Sequence, residues 1–169
     1  MKILLTLSLM LPLFGCLQMG TRARGNNEKP DGAVISYEYQ RVITMIHPTT
    51  WYEVKRDAAG TVRIAWSANC EPDITVIRGP EDFFDQVGEI CREYKLHRLK
   101  QSYVPRMKVL DGYMWNARIR FEKGSIYTGG SNAQPPEKLR EGLNAINGYI
   151  QSIIDTSTEA DVLERSRHE

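Results

Sequence analysis

The stretch Tyr113–Phe121 alternates so regularly that it dictates a sheet with one covered face. Trp115, Ala117, Ile119 and Phe121 fall on one side, and Asn116, Arg118 and Arg120 on the other. Successive side chains of a strand point to opposite faces, so this segment must bury one row and leave the other in water. Weaker versions of the pattern recur. Residues Val34 to about Met45 are rich in β-branched and aromatic residues, with His47-Pro48 as the break. Trp51–Arg56 and Thr61–Trp66 flank Asp57-Ala58-Ala59-Gly60, a hairpin turn with glycine where positive φ is easiest. Asp73–Ile77 and Ser125–Thr128 read as two short strands.

The cover comes from two segments of helical period. Gly79-Pro80-Glu81-Asp82 opens the first, with acidic residues where the helix dipole favours them. Phe83, Phe84, Val87, Ile90, Cys91 and Tyr94 then form one apolar face. Pro135-Pro136 starts the second, which carries Leu139, Leu143, Ile146, Ile150 and Ile153 or Ile154 on one stripe. The expected fold is α+β: an antiparallel sheet of about five to six strands with two amphipathic helices packed on one face. Lys95 to Leu110, which includes Tyr103 and Pro105, reads as an irregular, basic, solvated connector, set against contact with anionic lipopolysaccharide or an acidic partner.

The start of the chain is an address. Lys2 precedes an uncharged run, Ile3–Phe14, with the length of a signal-peptide core and too few residues to span a bilayer as a helix. Leu13-Phe14-Gly15-Cys16 resembles the lipobox of bacterial lipoproteins. That resemblance implies cleavage before Cys16, diacylglycerol on its thiol and attachment to membrane through the acyl chains. Leu17, by analogy with enteric lipoproteins, implies sorting to the outer membrane, facing the periplasm. The expected organisation is a signal peptide at 1–15, a flexible tether at 16–32 rich in Gly and Asn, one domain at 33–155 and a polar tail at 156–169.

Export places Cys70 and Cys91 in an oxidising compartment, where a disulfide between them is expected. It would close a loop of about 20 residues, contributing roughly 3 kcal/mol. The competing reading is two buried thiols. A metal site from Cys70, Cys91 and His97 is disfavoured on the same compartment argument. Lys+Arg number 22 and Asp+Glu 21, and removing Lys2 balances them. A neutral chain leaves no electrostatic footprint for nucleic acid. The sequence also lacks a nucleophile elbow, a zinc-protease helix and a phosphate loop, so no catalytic residue and no cofactor are expected.

Asp111-Gly112-Tyr113-Met114-Trp115, Ile119–Gly124 and Gly130-Ser131-Asn132 with Pro135 and Leu139 resemble a pattern of uncharacterised bacterial lipoproteins across the last third of the chain. The resemblance implies membership of a family without an assigned activity, so it carries over no catalytic residue. The loop Gly129-Gly130-Ser131-Asn132, leading toward a helix start, is a candidate ligand or partner loop, set against a purely structural use of its glycines. Two functions follow. One is a non-enzymatic envelope lipoprotein that binds a protein partner through the uncovered sheet face, with Tyr37, Tyr39, Arg118 and Arg120 as members. The other is a small-ligand or glycan-binding lipoprotein using the 129–135 loop and Trp51; an envelope hydrolase ranks third.

Overall fold

A computed structural model describes residues 21–43, 50–67, 73–107, 109 and 112–167. Nine strands form one sheet: β1 (Thr21–Asn26), β2 (Asp31–Ile43), β3 (Thr50–Arg56), β4 (Val62–Ser67), β5 (Asp73–Arg78), β6 (Lys100–Pro105), β7 (Tyr113–Lys123), β8 (Ser125–Ser131) and β9 (Val162–Arg167). Their order is β1-β6-β8-β7-β2-β3-β4-β5-β9, antiparallel except where β6 runs parallel to β8. Helix α1 (Phe83–Glu93) follows β5, and α2 (Glu137–Thr156) lies between β8 and β9. The α+β class stands, with more strands than expected.

One row across the sheet explains its cohesion. Ile126, Ile119, Tyr37, Val54, Ile64 and Ile77 face one another through successive registers on six neighbouring strands, and all are buried. Removing an apolar side chain of this size from water contributes about 1.5–3 kcal/mol. The helices lie over this face. Asn147 and Gln151 of α2 accept hydrogen bonds from the Tyr37 and Tyr52 hydroxyls at 2.7 and 2.9 Å. Phe83, Phe84, Val87 and Cys91 of α1 join the same core. Replacing Tyr37 by Phe is expected to cost about 1–2 kcal/mol, because it removes a bond to the half-buried Asn147 carbonyl and leaves the ring in place. Urea denaturation checks this, and an unchanged midpoint would contradict it.

The structure corrects the expected uncovered face. Tyr37 is 0% exposed beneath the helices, and Tyr39 packs beside it. Arg118 and Arg120 lie on the opposite, open face with Glu38 and Ser36. A β-bulge is the cause: the register shifts between Val34 and Ser36, so Val34 and Tyr37 both point inward although three residues apart. Strict alternation therefore misplaces the tyrosines.

Three strands arise where the sequence suggests none. The expected tether supplies β1, paired with β6, and the Asn27 side chain bonds Leu99 O and the Tyr127 N–H at 2.8 and 3.0 Å. The expected connector supplies β6, with Tyr103 buried and stacked on Trp115. The expected tail supplies β9 on β5. Asp161 secures its approach by accepting the Thr158 N–H and hydroxyl, both at 2.8 Å. β1 is exposed along its whole length and β9 through most of it, so neither carries a buried row for alternation to reveal. The expected signal segment, Cys16 and Cys70 lie outside the described residues.

Candidate functional site

The best-formed concavity is a groove of about 640 Å³ between α1, the 29–34 segment and the β7–β8 hairpin. Its floor is apolar: Val34, Phe84, Cys91, Phe121 and Ile126. Its rim carries both signs, with Lys29 and Arg92 on one account and Asp31, Asp85 and Glu89 on the other. The size and the mixture suit a recognition site. Gly88 lines it, and a Cβ added there would meet only Val34 Cγ2 at 3.9 Å. Alternation and helical period each find parts of the floor in the sequence. Their convergence is not legible, because it depends on the bulge that turns Val34 inward.

Two titratable groups in the groove bear on chemistry. The Cys91 thiol is buried, and desolvation pushes it up to about 12, so it stays protonated at neutral pH and is a poor nucleophile. Burial, with Lys29, Arg98 and Lys95 nearby, holds His97 below the ordinary imidazole value. The unfolded chain takes up that proton first, so this residue's contribution falls as pH drops below about 6.5 and levels off below the depressed value. No group of three or more His, Cys, Asp or Glu side chains suited to a metal occurs among the described residues.

Cys91 is a free thiol among the described residues. Its expected disulfide partner, Cys70, lies outside them. Ser67 and Asp73, which bracket Cys70, sit at the far end of the sheet from the groove. In native protein Cys91 is expected to alkylate at least a hundredfold more slowly than in denaturant. Fast native labelling would contradict its burial. Labelling in denaturant without reductant identifies a free thiol; a need for reductant identifies the bridge.

The Gly129–Asn132 loop is a packing device. Gly129 and Gly130 lie within β8, opposite Asn116 and Trp115. A Cβ on Gly130 would sit 2.5 Å from Ala133 O and 2.6 Å from Trp115 Nε1, whose N–H donates to that same carbonyl at 2.8 Å. Asn132, at φ +50°, exchanges two hydrogen bonds of 2.9 Å with the Tyr113 backbone. Gly112 leaves the space that the Asn132 side chain fills. The Asn132 N–H and side-chain oxygen are thus bonded within the fold, and the groove is lined by other residues.

Of the tryptophans, Trp115 and Trp66 pack in or against the core. Trp51 lies on the open face in one row with Gln40, Asn116 and Gly129. It stands three strand spacings from Gly129, roughly 14 Å. A second recess of about 570 Å³ beside Gly60 and Gly79 is lined by Arg56. Its guanidinium is already bonded to Gly60 O and Glu81 O at 2.9 and 2.8 Å. Among the described residues no helix is long and apolar enough to cross a membrane. No family model, no curated protein and no solved structure matches this chain.

Proposed function

We propose that this chain is a lipid-anchored lipoprotein of the cell envelope, held at the outer membrane facing the periplasm, that works as a non-enzymatic module binding a protein partner. The groove under α1 carries the reading. Its apolar floor and two-signed rim suit a partner segment that presents an apolar side chain between polar neighbours. A buried thiol that stays protonated at neutral pH favours binding over nucleophilic catalysis at this position. A glycan or small ligand is the alternative, and Trp51 on the open face is what supports it.

The test is in-cell photo-crosslinking from position 85 on the groove rim, with and without Gly88→Trp. Gly88 lines the groove and a Cβ there meets only Val34 Cγ2 at 3.9 Å, so the position takes a side chain, and replacing glycine also favours the helix. One stoichiometric envelope partner, lost in Gly88→Trp, is the expected result. A crosslink indifferent to Gly88→Trp would remove the groove from the reading. No partner above background would shift the weight to the small-ligand alternative.

A further inference from the structure

The open face of the sheet is electrically uneven. Residues directly opposite in an antiparallel pair share a face, so Arg22 and Arg24 stand with Val104 and Ser102, opposite the buried Tyr103. Lys100, Arg118 and Arg120 lie on this face too. Across β1, β6, β8 and β7 the face thus holds five basic side chains against one acidic one, Glu122, although the whole chain is formally +1. None of the five is in an ion pair among the described residues. On β3, β4 and β9, by contrast, Lys55 and Arg63 pair with Glu53 and Glu164.

The same region exposes apolar groups. Met107 and Met114, 61% and 56% exposed, are the most exposed large apolar side chains among the described residues. Tyr127 is 43% exposed, with the Arg118 guanidinium 5.5 Å from its ring centre. Both methionines lie toward the end of the sheet where Thr21 pairs with Pro105. From Thr21 back to Cys16 the chain reaches at most about 18 Å, even fully extended.

We infer that the open face of β1, β6, β8 and β7 lies against an anionic phospholipid surface, its basic side chains on lipid phosphates and Met107 and Met114 in the headgroup layer. The inference rests on the lipid anchor proposed above: so short a connection forces the β1 end of the domain onto the bilayer. Charge complementarity then selects the face. The groove stays clear, because Val34 and Val42 mark opposite ends of β2, about 25 Å apart.

The test uses residues 16–169 with Cys16→Ser, which keeps every described element and carries no acyl chain. Flotation compares vesicles of phosphatidylglycerol and phosphatidylethanolamine with vesicles of phosphatidylcholine. The expected result is binding to the anionic vesicles alone, abolished by 0.5 M salt because the charges are exposed. Arg24→Glu with Arg118→Glu and Arg120→Glu should weaken it at least tenfold, and Met107→Asp with Met114→Asp severalfold. Lys138→Glu with Arg140→Glu, on the outer face of α2, should leave it unchanged. Equal binding to both vesicles, or none to either, overturns the inference and leaves the face to an acidic protein. Palmitate labelling of the full chain reports the anchor separately: a chain that labels yet ignores anionic vesicles keeps the anchor and loses this face.

Discussion

Trp115→Ala is expected to lower stability by about 3–5 kcal/mol, the range for deleting a large buried aromatic side chain. The indole is buried, stacks on Tyr103 with ring centres 6.2 Å apart, and donates to Ala133 O at 2.8 Å. Its loss removes packing between β7 and β6 across β8 and orphans a carbonyl at the turn into α2. For a chain of this size the thermal midpoint should fall by roughly 10 °C. Two companions separate the causes. Trp115→Phe keeps most of the ring and loses the N–H, so about 1–3 kcal/mol is expected. Gly130→Ala keeps the indole and drives a methyl group into it and into Ala133 O, with about 1–3 kcal/mol as the overpacking cost. Calorimetry on the three variants checks the order. An unchanged midpoint for Trp115→Ala would show that the Gly112, Trp115, Gly130 and Asn132 cluster does not hold this end of the sheet.

Phe83→Ala should also cost about 3–5 kcal/mol, and by a route that reaches the groove. Phe83 is fully buried at the first turn of α1. It meets Phe84 edge-on with centres 5.2 Å apart and stacks on Tyr149 of α2 at 5.4 Å. It therefore pins α1 to α2, and α1 supplies Phe84 and Cys91 to the groove floor. Besides the lower midpoint, native alkylation of Cys91 should accelerate at least tenfold as α1 loosens. A destabilised variant in which Cys91 stays as protected as in the parent chain would mean that Phe83 stabilises the core without positioning the groove wall.

The parts of the fold legible in the sequence are those with a buried row. β7 declares itself through Trp115, Ala117, Ile119 and Phe121, and both helices through their apolar stripes. β1 and β9 escape because none of their described side chains is fully buried; they join the sheet through backbone pairing and side-chain bonds such as those of Asn27 and Asp161. The bulge between Val34 and Ser36 escapes because the parity shifts at Ile35, a β-branched residue that carries no turn signal. The D-G-x-x-W and G-x-N residues are visible as a pattern, but their use is not. Only the geometry shows that Gly112 makes room for Asn132 and Gly130 for Trp115. The basic face is invisible for a related reason. Arg22, Lys100 and Arg118 are far apart along the chain, and the β1–β6–β8–β7 order sets their rows side by side.

The most direct test of membrane anchoring is mass spectrometry of the N-terminal peptide of the protein extracted from envelopes of its host, alongside Cys16→Ser. The expected result is a mature chain that begins at Cys16 and carries diacylglycerol, with the Cys16→Ser chain uncleaved at that bond. A chain that begins elsewhere, or an unmodified Cys16 with membrane attachment intact, would contradict the anchor and with it the seating of the domain on the bilayer.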